Sequence, residues 1–193
     1  GSEMCIRDRS GLSTNAIEAL KIIKKKECKA ICLTGNKNSD VKDVADVVIE
    51  YGVGEELVGY VTKGVSSLAL FLDLFAIAYS GKTEYLDELK KAADLNEEMI
   101  DQATNFIQRH YKNFTSMSWV YSCGAGANYG TALESALKMG ETIHIPSCCY
   151  EIEEYIHGPN LQLTPQYNVI FFDGNDGASR RLSLIHISEP TRH

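Results

Sequence analysis

SWVYSCGAGANYGTALESALKMGE, residues 118–141, passes from strand to glycine-rich turn to helix without interruption. Ser118-Trp119-Val120-Tyr121-Ser122 joins β-branched and aromatic residues, the composition of a strand. Gly124-Ala125-Gly126 turns the chain. From about Tyr129 to Met139 the pattern becomes helical. Glu134, Lys138 and Glu141 fall at i, i+4 and i+7 on one face, and Leu133, Ala136, Leu137 and Gly140 are expected to pack inward from the other. A strand feeding a helix through glycines opens a β–α–β unit and predicts a parallel sheet covered by helices.

The same alternation extends in both directions. Upstream, Asn15 to Lys26 reads as a helix, with Ala16, Ile17, Ala19, Leu20 and Ile23 at helical spacing and lysines at its end. Lys29 to Thr34 is a buried strand, Val41 to Ala45 a short helix, Asp46 to Glu50 a strand, and Thr62 to Tyr79 a long apolar helix closed by Ser80-Gly81. Glu84 to Lys112 is charged and helical, with a break expected near Asp94-Leu95-Asn96, and connects two lobes. Downstream, Thr142 to Ile145 and Asn168 to Phe172 are expected strands. The fold class is α/β, two three-layer αβα lobes with parallel sheets: a first lobe over 10–81, a helical connection over 82–113 and a second lobe over 114–181.

The two ends stand outside this pattern. Gly1 to Asp8 back-translates as GGC TCG GAG ATG TGT ATA AGA GAC. The reverse complement, with AG added, begins CTG TCT CTT ATA CAC ATC TCC GAG and encodes Leu182-Ser183-Leu184-Ile185-His186-Ile187-Ser188-Glu189. Two ends of one protein do not encode each other's reverse complement by chance. Residues 1–9 and 182–193 are therefore read as translated sequencing adapter, and the first lobe as truncated at its N-terminus, without its opening strand.

A net charge of −7 gives the chain no electrostatic reason to seek nucleic acid or anionic lipid. The apolar run Leu68 to Tyr79 contains Asp73 and is too short to span a bilayer, so no membrane partner is expected. Cys28, Cys32, Cys123, Cys148 and Cys149 form no Cys-x-x-Cys pair, which suggests neither a metal site nor a disulfide framework and fits a reducing cytoplasm.

Four constellations can carry chemistry. Ser10-Gly11-Leu12-Ser13-Thr14-Asn15 precedes a helix, where hydroxyls and unpaired N–H groups make an anion site or, more plainly, an N-cap. Gly124 and Gly126 would let a ligand approach the backbone, or serve a structural turn. Glu134, Lys138 and Glu141 make either a surface salt bridge or, in a partly desolvated pocket, a proton shuttle. His157 is placed at a loop by Gly158-Pro159, and an imidazole is a side chain suited to proton transfer.

Together these pieces resemble the SIS (sugar isomerase) family with two lobes in tandem, a flavodoxin-like fold. Ser10-Gly11-Leu12-Ser13 is similar to the end of its phosphate loop, and Val61-Thr62-Lys63 to its Ser-Thr-Lys helix start. Leu133 to Glu141 resembles Leu-Glu-Gly-Ala-Leu-Lys-Leu-Lys-Glu, and Glu154 to Pro159 resembles Glu-Leu-Lys-His-Gly-Pro. The resemblance implies an enzyme acting on a ketose- or ketosamine-6-phosphate without a cofactor, by isomerisation, amino transfer or deglycation. The other class it allows is a non-catalytic phosphosugar-sensing module, which needs the loop but no proton shuttle. It implies that Ser10, Ser13 and Thr14 bind phosphate, Gly124, Gly126 and Lys63 contact substrate, and His157 assists ring opening. Glu141 would move the proton, Lys138 lie near the reacting oxygens and Glu134 orient the lysine. In relatives the histidine loop reaches a neighbouring subunit, so a homodimer is expected. Glu153, Gly140 and Cys148-Cys149 depart from the quoted family pattern and pull toward deglycases or related ketosamine-phosphate enzymes.

Overall fold

The computed structural model describes residues 3–8, 10–57, 60, 62–164, 166–174 and 177, with 3–8 defined by their backbone. The chain divides into two units, Gly1–Asn96 and Glu97–His193.

In the first unit the order is β1 (Glu3–Asp8), α1 (Thr14–Lys25), β2 (Lys29–Thr34), a 3-10 turn (Asp40–Asp43), β3 (Val47–Glu50) and α2 (Lys63–Ser80). The strands lie in the order β1-β2-β3, all parallel. One expectation changes here: residues read as adapter occupy the place of the opening strand, Asp8 pairing with Thr34. Strand pairing is made by backbone N–H and C=O groups, which any extended segment without proline supplies, and β2 would otherwise present an open edge.

Helices cover both faces of this sheet. Leu20 and Ile23 of α1 are buried with Ala30, Cys32 and Val41, and full burial of a leucine stabilises by about 2 kcal/mol. On the other face Leu68 and Phe71 of α2 pack against Leu33, Tyr51 and Val53. The apolar run is longer as a helix than as a sequence. With Lys63–Ser80 helical throughout, α2 is long and apolar enough to cross a membrane by length and composition alone, and 11% of it is buried. Asp46 ties the strand starts together: Oδ2 accepts from the Ala30 N–H at 2.8 Å and Oδ1 lies 3.1 Å from Lys24 Nζ.

Helix α3 (Tyr85–Arg109) runs unbroken through Asp94-Leu95-Asn96. Asp and Asn cost only a fraction of a kcal/mol inside a helix, and the flanking Ala92-Ala93 and Glu97-Glu98 are good formers.

The second unit continues with α4 (Tyr111–Thr115), β4 (Trp119–Gly124), α5 (Ala127–Lys138), a π-helical turn (Met139–Ile143), β5 (Ser147–Glu151), α6 (Ile152–Ile156), a 3-10 turn (Pro159–Gln162) and β6 (Tyr167–Phe172). Strand β4 lies between β5 and β6, parallel to both. The strand expected over Thr142–Ile145 is not formed. That segment prolongs α5 as the π turn: Thr142 Oγ1 donates to the Lys138 carbonyl at 2.6 Å, and His144 ends the turn at φ 61°. A β-branched run is compatible with either state, and the strand begins only beyond Pro146.

The inward face of α5 also differs from expectation. Ala132 is buried and Ser135 Oγ meets Ser122 Oγ at 3.1 Å, whereas Leu133 is 49% and Leu137 52% exposed. Small residues face inward because the sheet is close at this point. A Cβ on Gly124 would lie 2.2 Å from the Asn128 carbonyl oxygen. Side chains alternate along a strand, so Tyr121 and Cys123 point to the other face, where Tyr155 of α6 joins their core.

Candidate active site

Parallel register sets the loops of the first unit at one edge. Asp8, Thr34 and Glu50 lie abreast, so the three strands end at the same carboxyl edge, the side on which open α/β sheets bind ligands. Ser10 Oγ accepts from the Leu12 N–H at 3.2 Å. Gly11 has φ +68°, and a Cβ there would fall 1.6 Å from Ser39 Oγ, which itself donates to the Asn36 carbonyl at 2.6 Å. Ser13 is the N-cap residue of α1 but makes no side-chain capping bond, and the first turn holds no acidic residue. Ser10, Ser13 and Thr14 are all exposed at this positive helix end.

Lys63 opens α2, its Nζ donating to the Glu55 carbonyl at 3.5 Å. Beside it stands a residue that the sequence reading missed. Glu56 Oε1 accepts from the N–H groups of Thr62 and Lys63, each at 2.8 Å, and Oε2 from Gly64 N–H at 3.2 Å. No local pattern announces a cap six residues ahead of its helix; an acid in the preceding loop is the only signal.

In the second unit, Lys138 Nζ lies 2.6 Å from Glu141 Oε2 and 3.4 Å from Glu134 Oε1. The lysine side chain is 20% exposed and both carboxylates 36%. The hydrogen bond to Glu141, and then the charge of Glu134, hold the Lys138 ammonium above its ordinary pKa, with burial working against them. One ammonium is thus shared by two carboxylates. Glu141 sits on the π turn, whose extra backbone bulge is common at functional sites. It borders a cavity of about 390 Å³ with Leu137, Gly140, Ile145, Pro146 and Ser147. A larger concavity, about 530 Å³ along α3 near Met99, Phe106 and His110, contains none of the predicted site residues.

The remaining predicted residues of this unit lie elsewhere. Helix α5 runs antiparallel to β4: Asn128 abuts Gly124, Ser135 meets Ser122, and Ser147 at the start of β5 donates to the Ala136 carbonyl. Its 12 residues span about 18 Å, separating the Gly124–Gly126 turn from Glu141. Gly124 therefore serves close packing, and Gly126, at φ +56°, has nothing within 4 Å of where a Cβ would stand. His157 caps α6, whose Tyr155 packs on the sheet face opposite α5. Among the described residues no hydrogen bond or ion pair joins His157 to Glu141. Burial pushes the Cys123 thiol up to about 12, which leaves it unreactive. Among the described residues no cluster of His, Cys, Asp or Glu is suited to hold a metal ion.

Each unit thus holds a three-stranded parallel sheet among the described residues, the first with a hydroxyl-rich helix start and the second with a lysine-bridged carboxylate pair. Similar arrangements occur in known proteins. Glutamine–fructose-6-phosphate aminotransferase [isomerizing] of Caldanaerobacter subterraneus is 30% identical over 159 residues, 78% of this chain and 26% of that protein. The protein of the same name from Pyrobaculum aerophilum is 26% identical over 176 residues, 88% of this chain and 29% of its own length. This chain thus spans between a quarter and a third of these curated relatives. Glucosamine-6-phosphate deaminase of Thermotoga maritima superposes with a TM-score of 0.82 at 25% identity, covering 95% of this chain and 57% of that one. The C-terminal domain of glucosamine-fructose-6-phosphate aminotransferase from Francisella tularensis gives 0.84 at 22% identity, over 95% and 55%, a likeness of fold. No protein-family model matches the chain. Sequence relatives and structural neighbours together place the chain with the SIS domain family.

Proposed function

We propose that this chain is the phosphosugar-binding part of a cytoplasmic enzyme that acts on a ketose- or ketosamine-6-phosphate. The observation that carries the reading is the pair Glu134 and Glu141 bridged by Lys138 beside a cavity. In an isomerisation, the Glu141 carboxylate takes the proton from C1 of the open-chain ketose. The C1–H electrons form the C1–C2 double bond while the C2 oxygen gains a proton, giving an enediol. Glu141 then returns its proton to C2 as the C1 hydroxyl loses its own and becomes the aldehyde. Lys138 stabilises the charge that develops on the two oxygens. Ser10, Ser13 and Thr14 hold the phosphate. Amino transfer, in which ammonia replaces the C2 oxygen of a ketose and water leaves, or deglycation of a ketosamine would use the corresponding enaminol chemistry.

His157 assists ring opening, and the resemblance, in which the histidine loop reaches a neighbouring subunit, supports a homodimer. Residues 1–9 and 182–193 are adapter translation in this reading, and the chain by itself binds without turning over. The test is the full-length natural protein carrying Glu141→Gln: conversion of fructose 6-phosphate is expected to fall at least 100-fold with binding retained. Undiminished turnover rules out Glu141 as the proton carrier.

A further inference from the structure

Glu56, in the loop between β3 and α2, lays its carboxylate across the first turn of that helix. Oε1 accepts from the Thr62 N–H and the Lys63 N–H, both at 2.8 Å, and from Thr62 Oγ1 at 3.2 Å; Oε2 accepts from Gly64 N–H at 3.2 Å. The leading N–H groups of a helix have no partner within it and stand at the positive end of its dipole. A carboxylate there satisfies the groups that a bound anion would otherwise take. The bonds from Thr62, Lys63 and Gly64 hold the Glu56 carboxyl down to about 2.

The loop closes a second time through Lys63, whose Nζ reaches the Glu55 carbonyl at 3.5 Å. It also passes 3.7 Å from where a Cβ on Gly54 would stand, at φ +65°. Helix α1 differs in having no acid in its first turn and no side-chain capping bond from Ser13.

The geometry points to Glu56 as a positioning residue for Lys63: by occupying the anion seat of α2 it leaves that end to present the Lys63 ammonium, and directs the substrate phosphate to Ser10–Thr14 at α1. The identity of the ligand rests on the phosphosugar reading above. The occupied seat does not, because it belongs to this chain alone.

The experiment uses the whole chain, with backbone amide spectra and inorganic phosphate as the probe. Wild-type Thr62, Lys63 and Gly64 amides should not move with phosphate. In Glu56→Ala their hydrogen exchange should quicken roughly fivefold or more, and phosphate should now shift them. If Glu56→Ala does not fold, Glu56→Gln, which keeps the length and loses the charge, should still speed exchange at these amides. Fructose 6-phosphate affinity supplies the positioning readout: the losses from Glu56→Gln and Lys63→Met should be less than additive. Phosphate shifts at 62–64 in the wild type, unchanged exchange in Glu56→Gln, or fully additive losses each overturn the proposal. A wild-type chain that takes no fructose 6-phosphate overturns the phosphosugar reading and, with it, the role given to Lys63. The amide response to inorganic phosphate reports separately whether the seat is occupied.

Discussion

Gly124→Ala should damage the second unit more than any other glycine-to-alanine change in it, because the obstacle is backbone. An added Cβ meets the Asn128 carbonyl oxygen at 2.2 Å, the Asn128 carbonyl carbon at 2.5 Å and the Tyr129 nitrogen at 3.0 Å. Restoring ordinary contact at 3.4 Å requires the start of α5 to retreat by 3.4 − 2.2 = 1.2 Å. No side-chain rotation relieves this, since Asn128 and Tyr129 are already in the first turn, with Asn128 N–H bonded to the Ala125 carbonyl at 3.0 Å. Overpacking of this kind costs about 1–3 kcal/mol, or roughly 3–10 °C in Tm for a chain of this size. The retreat would also strain the bond between Ser122 and Ser135, now 3.1 Å, and tilt the helix that carries Glu134 and Lys138. Gly130→Ala is the internal control: it lies in the same helix with nothing within 4 Å and should gain about 0.5–1 kcal/mol from its better helix propensity. Trp119 is the single tryptophan and lies in β4, so its fluorescence during heating follows this unit. A Gly124→Ala midpoint equal to or above that of Gly130→Ala refutes the reasoning.

Acid stability should depend on Glu56. Its folded carboxyl ionises near 2 against an ordinary 4.5, so its contribution is complete above pH 4.5 and is lost as pH falls from there toward 2; amide spectra of the first unit in Glu56→Gln should lose that dependence. Cys123, buried and with its pKa raised from 9.0 to about 12, should resist a thiol reagent at pH 8 until the unit unfolds. The unfolded thiol ionises first as pH rises past 9.0, so stability from this group is lost above that pH, and a Cys123→Ala chain should show a flatter alkaline profile.

Most of the architecture was legible where one signal had one meaning. The spacing of Ala16, Leu20 and Ile23 gave the buried stripe of α1, and the Trp119-to-Gly126 order gave β4 and its turn. Reading failed where a run fits two states. Thr142-Ile143-His144-Ile145 has strand composition, yet Thr142 bonds back to Lys138 and the helix continues as a π turn. Leu133 and Leu137 looked like the inward face, but the closeness of Gly124 to Asn128 selects small residues, and Ala132 and Ser135 point in. The triplet Glu134, Lys138 and Glu141 was visible as a helix face. Its half-buried state, which separates it from an ordinary surface salt bridge, depends on tertiary packing and the cavity beside Pro146. Glu56 was invisible because its partners lie across a loop.

The central claim is that the chain recognises a sugar through its phosphate at the start of α1. Backbone amide spectra recorded during a fructose 6-phosphate titration test it most directly, with fructose as the comparison. The account predicts saturable shifts at Gly11 to Asn15 with fructose 6-phosphate, none there with fructose, and loss of the response in Ser13→Ala. Equal responses to the two sugars, or no response at Gly11 to Asn15, would contradict it.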